Sequence, residues 1–510
     1  MTTSATHLYR LLKWGRTLAR HGALRGIERD PMTPPAVRTL LRLARFGLRQ
    51  PAVPDYAAAL QAIGPAAIKL GQALATRPDL VGPDAAANLM RLQDSLPPLP
   101  FPAIKAAIEK ALEAPIEKLF QSIDPVAVGA ASIAQVHKAV TIEGRTVAVK
   151  VLRPGIEEEF ARALETYEWA AAHVERLGGE ATRLRPRLVI AHFKQWTRRE
   201  LDFQREAASA SELKDKMVAE PDFYVPEIDW TRTARRVLTL EWIDGIKLTR
   251  RDQLIEAGHD PKALAAILIR AFLRQAVVDG FFHADLHQGN LFALPDGRLA
   301  AIDFGIMGRI DRRARMWLAE ILYGLITGNY ERVAEIHFEA QYVPSHHNVA
   351  EFATALRAVG EPIRGLPVKQ ISVGRMLEGL FSITRDFDMQ TQPHLLLLQK
   401  TMVMEEGVAT ALDPDINMWE AAEPFLKEWI RGELGPEAYV ADRLIDFGRT
   451  LKLIPDLIQR LDAHYPAPGA APPSPPLTAV TIVEGGAWWK YGFIAVVAAA
   501  AGAAAVLLIG

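Results

Sequence analysis

The residues best suited to chemistry lie in FFHADLHQGN, residues 281–290. On an extended strand, His283, Asp285 and His287 would point to one face, as an iron site built from two histidines and one carboxylate requires. The same stretch contains His-x-Asp followed by Asn290, five residues after Asp285, which is the spacing of a protein-kinase catalytic loop. The rest of the chain must decide between these two kinds of site.

The other groups that phosphoryl transfer needs occur in order along the chain. Asp303 begins an Asp-Phe-Gly triplet behind a short predicted hairpin, where its carboxylate could bind Mg²⁺ together with the side-chain oxygen of Asn290. Upstream, Lys150 ends a Val-Ala-Val-Lys strand and could pair with nucleotide phosphates. These parts favour ATP chemistry over iron chemistry, with Asp285 orienting the nucleophile. His283 is then expected to brace the loop through backbone hydrogen bonds.

Two further segments would contact the nucleotide. The Ala-rich stretch VGAASIAQVH, residues 128–137, stands where a glycine-rich loop would cover the phosphates. Because alanine has a Cβ atom and resists positive φ angles, we expect this loop to hold the nucleotide differently. The apolar strand LTLEWIDG, residues 238–245, suits a hinge whose backbone would bond adenine.

Two other features differ from an ordinary protein kinase. The catalytic triplet is His-Ala-Asp, so the arginine of His-Arg-Asp is absent. After the Asp-Phe-Gly triplet, IMGRI leads directly into a predicted helix, which leaves almost no activation segment to grip a peptide. The nucleophile is therefore expected to be water or a small hydroxyl group.

Composition limits the classes of function. The chain has 510 residues, 49% of them hydrophobic, which is enough for two or three folded domains. Lys+Arg 59 against Asp+Glu 60 leaves a net charge of -1, so no nucleic-acid partner is expected. The absence of cysteine excludes disulfides, thiolate metal sites and thiol nucleophiles, and it suits a reducing cytosolic setting.

Hydrophobic patterning predicts where strands and helices lie. Two β-branched strands flank a Glu143-Gly144 turn, residues 155–217 have helical periodicity, and strands return at 224–245. The chain from Pro261 to about Leu461 reads as mostly helical, apart from a hairpin at 291–305. A strand-rich piece followed by a helix-rich piece predicts an α+β, two-lobed, kinase-like fold with a cleft between the lobes.

The two ends of the chain indicate a membrane. Arg38, Arg42, Arg45 and Arg49 recur at helical spacing in a basic N-terminus, which suits either anionic lipid or an ordinary solvated helix face. At the other end, Trp and Lys residues precede the uncharged run 491–509, which as a helix would span roughly 28 Å. It predicts a single C-terminal anchor with the catalytic body cytoplasmic, although an Ala-rich buried helix is the alternative.

The expected location is the bacterial cell inner membrane. An Arg-rich, acid-poor start leaves the mitochondrial inner membrane as the alternative. The predicted segments are a basic helical N-terminus (1–50), a helical N-terminal extension (51–120), an N-lobe (121–245), a C-lobe (246–464), a Pro/Ala-rich linker (465–486) and the membrane anchor (487–510).

Several motifs together resemble the UbiB family of atypical protein-kinase-like proteins, which support ubiquinone biosynthesis. They are AASIAQVH, the stretch Lys69-Leu70-Gly71-Gln72, Glu200-x-Asp202, HADLHQGN and the Asp-Phe-Gly triplet. Residues 395–419 also look like the bacterial UbiB branch, and the similarity covers roughly residues 55–430.

The resemblance implies roles for further residues. The N-terminal extension would fold over the cleft and place Lys69 where a substrate peptide would otherwise lie. Glu200 would pair with Lys69, and Glu206 with Lys150. The catalytic set is then Asp285, Lys150, Lys69 and Glu200, and the metal ligands are Asn290 and Asp303. The predicted ATP contacts are Val128, Gly129, Ala130, Ala131, Ser132, Ile133, Ala134, Val136, Lys150, Glu206, Glu241 and Ile243.

The resemblance also implies a function. The chain would be a membrane-anchored ATP-binding protein, an ATPase using ATP and Mg²⁺, that extracts or presents prenylated quinone precursors, or membrane lipid, to other ubiquinone-biosynthesis proteins. Two alternatives remain open: a protein kinase that phosphorylates a partner enzyme, and a nucleotide-sensing scaffold without turnover.

Overall fold

A computed structural model describes residues 4–25, 35–49, 53–75, 83–92, 96–177, 186–364 and 393–416, with positions 51, 383, 386–389, 425 and 429. These residues form two compact units. The first contains the described residues up to Ser211 together with Pro226–Trp242. The second contains Glu212–Val225 and the described residues from Ile243 onward. The predicted linker and membrane anchor lie outside the described residues, and no described helix is long and apolar enough to cross a membrane.

The order of helices and strands follows the hydrophobic patterning in outline, but the short strands β8 and β11 lie in a stretch predicted to be helical, and most of residues 417–461 lie outside the described residues. The helices are α1 (Ser4–Arg20), α2 (Pro35–Arg45), α3 (Tyr56–Ile63), α4 (Pro65–Ala75), α5 (Pro83–Leu89), α6 (Phe101–Leu112), α7 (Ile116–Leu119), α8 (Ile156–Leu177), α9 (Pro186–Glu200), α10 (Phe203–Lys216), α11 (Arg251–Glu256), α12 (Pro261–Leu273), α13 (Arg312–Thr327), α14 (Tyr330–Glu339), α15 (Val349–Arg364) and α16 (Pro393–Leu412). The strands are β1 (Phe120–Ile123), β2 (Gly129–Ala130), β3 (Ala134–Thr141), β4 (Thr146–Leu152), β5 (Phe223–Tyr224), β6 (Val237–Glu241), β7 (Ile246–Lys247), β8 (Phe281–His283), β9 (Leu291–Ala293), β10 (Leu299–Ala301) and β11 (Met307–Arg309).

The sheet of the first unit is antiparallel, with strand order β1-β3-β4-β6 and β2 paired to β3. The predicted β3–β4 hairpin is confirmed, and its turn contains Gly144 at φ +84, a conformation that glycine adopts without strain. Along β4, Val147, Val149 and Val151 are buried and pack on the helix α6 side of the sheet. The alternation leaves Lys150 on the opposite face.

Helices α8, α9 and α10 follow the sheet strand β4, and they correct one expectation. The helical periodicity of residues 155–217 predicts no break between Glu200 and Glu206. Instead α9 ends at Glu200 and α10 begins at Phe203, whose backbone N–H donates to Arg235 O. The two glutamates therefore lie on successive helices, so each can be aimed at its own partner independently.

The N-terminal helices pack closely around a glycine. A Cβ atom on Gly71 would lie 2.5 Å from side-chain atoms of Leu60 and Leu92, so this position of α4 requires close approach of its neighbours. The predicted arginine stripe is shorter than expected, because α2 ends at Arg45 and Arg49 lies beyond it.

The second unit contains a sheet of order β5-β10-β9-β7 and a two-stranded ribbon of β8 and β11. The predicted hairpin of β9 and β10 is confirmed, with Gly297 at φ +88 in its turn. In the ribbon, Gly308 lies opposite Phe282, and any Cβ on that glycine would overlap the buried ring. The ribbon thereby fixes the strand that ends at His283.

Helix α16 packs against α12 and carries a buried acid, Glu405. Its side chain is fully buried, and neither carboxylate oxygen has a hydrogen-bond partner among the described residues. Burial raises the pKa of Glu405 well above its usual value. As pH rises above the ordinary value, the unfolded chain loses this proton first, so the native state loses stability with increasing pH.

Replacing Glu405 by methionine is therefore expected to stabilise the protein. We expect the free energy of unfolding to rise by about 1–3 kcal/mol at pH 8, since an uncompensated buried polar group is removed. The gain should be smaller at pH 5, where wild type keeps its proton at little cost. Denaturant unfolding at both pH values measures it, with Glu351→Gln on the exposed face of α15 as control. A gain that is equal at the two pH values would contradict the burial argument.

Candidate active site

His283 braces the catalytic loop from inside the second unit, as the sequence predicts. Its side chain is fully buried. The backbone N–H of Asp285 donates to Nδ1 at 3.1 Å, and Nε2 lies 3.3 Å from the carbonyl oxygen of Ile302. The ring also packs edge-on against Phe304, with centroids 5.5 Å apart. One imidazole thus ties the loop aspartate to the strand that leads into the Asp-Phe-Gly triplet.

The hydrogen bonds assign His283 as a neutral imidazole. Because Nδ1 accepts a hydrogen bond, the proton must lie on Nε2, which donates to Ile302 O. Burial lowers the pKa of His283, and this effect outweighs the carboxylates of Asp285 and Asp303, which raise it. The residue can hold the loop at neutral pH without adding a positive charge.

This arrangement rules out the iron-site interpretation of the loop. Both ring nitrogens of His283 face backbone groups, and Nδ1 of His287 accepts from the N–H of Gly289. Among the described residues, the group of three potential ligands that do approach one another is His346, His347 and Asp388, which belongs to the helical part of the second unit and not to the catalytic loop.

Asn290 and Asp303 are positioned by the same backbone network. Asn290 Nδ2 donates to the carbonyl oxygen of Asp285 at 3.2 Å, and the N–H of Ile302 donates to the carbonyl oxygen of Asn290 at 2.9 Å. Since the amide nitrogen is used by the loop, the side-chain oxygen is the end of Asn290 that can serve a cation. Asp303 itself has φ +66, a left-handed conformation that is uncommon for residues other than glycine and is often found at functional sites.

The donor set fits magnesium. Mg²⁺ prefers hard oxygen ligands, and it is commonly held by one or two protein oxygens plus substrate phosphates. Asp303 offers a carboxylate, and Asn290 offers an amide oxygen held in orientation by its own nitrogen. These two residues are the ones that would hold the ion.

In the first unit, strand β4 presents Lys150 to Glu206 of helix α10. The ammonium lies 2.8 Å and 3.1 Å from the two carboxylate oxygens, and the side chains are 14% and 7% exposed. Lys150 also lies over the ring of Phe203, 5.3 Å from its centroid. The structure thus brings together Lys150 and Glu206, the pair that the family resemblance implies, whereas Glu200 lies against Lys69.

Lys69 and Glu200 form the second predicted pair. Helix α4 places Lys69 against the Glu200 carboxylate at the end of α9, and both side chains are largely buried, at 8% and 13% exposure. Lys69 is therefore not a solvated lysine on the surface of its helix. Removing one partner of such a buried ion pair strongly destabilises a protein, because the other charge stays buried without its counter-charge.

The Ala-rich loop is held in place by Arg153, a residue that the sequence analysis missed. Its Nε donates to Ala131 O at 2.9 Å, and its guanidinium also reaches the carbonyl oxygens of Leu96 and Pro97 at 3.2 and 3.0 Å. Gln135 supports the same segment by accepting from Leu99 N at 2.6 Å. These bonds attach the loop to residues 96–99 of the N-terminal extension.

The Ala-rich loop adopts its conformation without a glycine at positive φ. Gly129 pairs with Val136 in regular antiparallel register, it does not adopt positive φ, and a Cβ there would meet no atom within 4 Å. Ala131 N donates to Ala134 O, which closes the loop between Gly129 and β3. The backbone is therefore shaped by its neighbours rather than by glycine.

Removing the guanidinium by Arg153→Met should loosen this loop. Three carbonyl groups would lose a charged donor at a site where Arg153 is only 8% exposed, so we expect the free energy of unfolding to fall by about 1–3 kcal/mol. Amide hydrogen exchange should speed up at Leu96 and in residues 131–135. Arg145→Met, at a 53% exposed arginine in the turn between β3 and β4, serves as control. Unchanged exchange in those two segments would show that Arg153 does not hold the loop.

Two backbone N–H groups of the predicted hinge are already used in hydrogen bonds within the protein. The N–H of Glu241 donates to Glu227 O at 2.8 Å, and the N–H of Trp242 donates to Thr146 O at 3.2 Å. A base contact through an N–H group would therefore come from Ile243, the first residue of the second unit. The predicted roles of Glu241 and Ile243 stay predictions.

Lys400 is a second residue that the sequence analysis missed. Its Nζ lies 3.5 Å from Oδ1 of Asp285, although α16 is 115 residues away in sequence. The available signal is that Lys400 is the single lysine or arginine in the apolar stretch 393–412. The spacing of kinase motifs does not predict a functional residue at position 400.

Comparisons with known proteins show the family and the fold. The sequence matches the ABC1 atypical kinase-like domain over residues 91–337 and the UbiB helical domain over residues 356–417. A probable protein kinase UbiB of Marinobacter nauticus is 41% identical over 386 residues, which cover 75% of this chain and 71% of that protein. The solved complex structure of Rv3197 and erythromycin from Mycobacterium tuberculosis is similar with a TM-score of 0.52 and 25% identity, over 71% of this chain and 93% of that chain. The kinase-like α+β fold is therefore shown.

Proposed function

Because the chain belongs to the UbiB family of atypical kinase-like proteins, we propose that it hydrolyses ATP at the bacterial inner membrane and thereby supports ubiquinone biosynthesis. Its work would be to extract or present prenylated quinone precursors to other enzymes of that route. The observation that supports the catalytic part is the hydrogen-bond network around His283, which links the Asp285 backbone to Asn290 and to Ile302, the residue before Asp303.

Each residue has a definite task in this proposal. Lys150, held by Glu206, pairs with the phosphates of ATP. Asn290 and Asp303 hold Mg²⁺, which supplies neutralisation of the charge on the phosphate oxygens when it is bound. Asp285 orients the nucleophile and accepts its proton.

The nucleophile is proposed to be water or a small hydroxyl group. Between the Asp-Phe-Gly triplet and helix α13 lie only residues 306–311, and β11 within them is paired to β8. This short, hydrogen-bonded connection provides no extended segment along which a peptide substrate could lie. The proposal therefore favours ATP hydrolysis, or transfer to a small lipid-derived hydroxyl, over protein phosphorylation.

Membrane attachment is proposed from the sequence of the C-terminal tail. The uncharged run 491–509 has the length to span a bilayer, and Trp and Lys residues precede it. A prenylated quinone precursor is confined to the bilayer by its apolar chain, so an enzyme that handles it gains by being anchored there.

Turnover of ATP labelled at the γ-phosphate tests the catalytic part. Full-length protein is incubated in vesicles containing anionic lipid, and label is counted separately as free phosphate, in the lipid extract and on protein. We expect free phosphate, at a rate that Asp285→Asn reduces by about a hundredfold or more. Equal release by wild type and Asp285→Asn would refute catalysis by this loop.

Protein phosphorylation is the second candidate, because the relative from Marinobacter nauticus bears the name of a probable protein kinase. In the same assay it predicts that label accumulates on protein in a cell-membrane fraction. Label on protein that depends on Asp285, with little free phosphate, would replace hydrolysis by this alternative.

The biological role is tested by complementation. A bacterial strain that lacks its own UbiB function and is deficient in ubiquinone should recover quinone content with the wild-type chain, but not with Asp285→Asn. Full recovery by that variant would instead support a nucleotide-sensing scaffold without turnover.

A further inference from the structure

Lys400 has no acidic partner at helical spacing on its own helix, α16. The residues one turn away on α16, at positions 396, 397, 403 and 404, are all apolar, so no acidic group on the helix can pair with it at the usual spacing. Its ammonium instead lies 3.5 Å from Asp285 Oδ1. The cation of the helical domain is therefore directed at the carboxylate that orients the nucleophile.

The contact contributes little to folding. The side chains of Lys400 and Asp285 are 33% and 29% exposed, and 3.5 Å is long for a charged hydrogen bond. Ion pairs that are exposed to this degree stabilise a protein by about 0–1 kcal/mol. A loose pair also leaves the ammonium able to make further hydrogen bonds, since it has three donors and Asp285 uses at most one.

The catalytic loop otherwise lacks a cation. HADLHQGN contains no lysine or arginine, and both ring nitrogens of its His283 are engaged with backbone groups. Among the described residues, the ion pair of Asp285 is the one with Lys400. Arg309, which follows the Asp-Phe-Gly triplet closely, is paired with Glu212 instead. Transfer of a phosphoryl group spreads negative charge over its oxygens, and cations directed at it lower the barrier.

We propose that Lys400 is a catalytic residue that binds the terminal phosphoryl group of ATP while remaining beside Asp285. Helix α16 would thus deliver, from the helical domain, the positive charge that the loop does not contain. The inference rests on the proposed ATP chemistry. It assigns to the helical domain a direct part in catalysis rather than a packing role.

The test compares a nucleotide with a terminal phosphate to one without it. Full-length protein in detergent is titrated with Mg²⁺ and either a non-hydrolysable ATP analogue or ADP, for wild type, Lys400→Met and Lys400→Arg. The methionine removes the charge and keeps the length of the side chain. We expect Lys400→Met to weaken analogue binding about tenfold, the loss of one charged hydrogen bond, and to leave ADP binding within about twofold. Lys400→Arg should restore most of the analogue affinity.

Arg251→Met is the control for packing of the helix. Arg251 reaches the carbonyl oxygen of Leu412 at the far end of α16, and it does not touch Asp285. It should change neither affinity. If Arg251→Met reproduces the loss, or if Lys400→Met weakens both nucleotides equally or neither, the proposal for Lys400 is overturned. If wild type itself binds neither nucleotide, the proposed function fails as well, so the two failures are distinguishable.

Discussion

Replacing Asp303 by asparagine is expected to reduce ATP hydrolysis by about 10²–10³-fold while leaving the fold intact. The carboxylate is the one full negative charge offered to Mg²⁺ by the pair Asp303 and Asn290, and removing a preorganised charge from a reacting site has effects of this order. Phosphate release at saturating ATP measures the loss. Raising the Mg²⁺ concentration should recover part of the activity, because the remaining amide oxygens still bind the ion weakly.

The choice of asparagine follows from the backbone. Asp303 has φ +66, and asparagine tolerates this left-handed region, whereas a larger or β-branched residue would add strain. The brace should survive too, because the carboxylate of Asp303 raises the pKa of His283, and without it that imidazole stays neutral. The lost activity would then report chemistry and not unfolding.

Asp296→Asn is the matched control for this variant. Asp296 lies in the exposed turn of the β9–β10 hairpin and accepts hydrogen bonds from Arg298, so the same substitution occurs close by in sequence without touching a metal ligand. It should leave turnover unchanged. Wild-type turnover in Asp303→Asn, or an equal loss in both variants, would contradict the assignment of Asp303 to magnesium.

Much of the architecture could be predicted because the signals were local. β-branched residues on both sides of Glu143-Gly144 predicted two strands joined by a turn, and the second hairpin was predicted at 291–305. Gly144 and Gly297 lie in these turns at positive φ, so the backbone requirement and the residue type coincide there. The kinase-type order of Lys150, Asp285 and Asp303 was also readable, because each motif is short and contiguous.

The remaining parts of the site depend on contacts between residues distant in sequence. Arg153 holds a loop through three carbonyl oxygens, and carbonyl groups leave no trace in the sequence. Lys400 meets Asp285 only because α16 packs against α12. Residues 155–217 have one continuous helical pattern, and the break between the helices of Glu200 and Glu206 contains neither glycine nor proline, so the sequence does not mark it.

Replacing Lys150 by methionine is expected to have a second large effect, on both turnover and stability. Turnover should fall by at least about a hundredfold, since the charge that positions the phosphates is removed. The free energy of unfolding should fall as well, by up to about 3 kcal/mol, because Glu206 is only 7% exposed and loses its ammonium partner. Loss of activity in this single variant is therefore ambiguous by itself.

A second substitution separates the two effects. In Lys150→Met/Glu206→Gln no carboxylate remains at the buried position, so most of the stability should return, whereas turnover should stay as low as in the single variant. The effects of the two substitutions on the free energy of unfolding are thus expected to be strongly non-additive. Adding Glu206→Gln to Lys150→Met should leave turnover almost unchanged. If turnover recovered together with the unfolding midpoint, Lys150 would be a structural partner of Glu206 and not a phosphate ligand. If stability recovered and turnover did not, folding would not need the ion pair, and the charge of Lys150 would be needed for turnover.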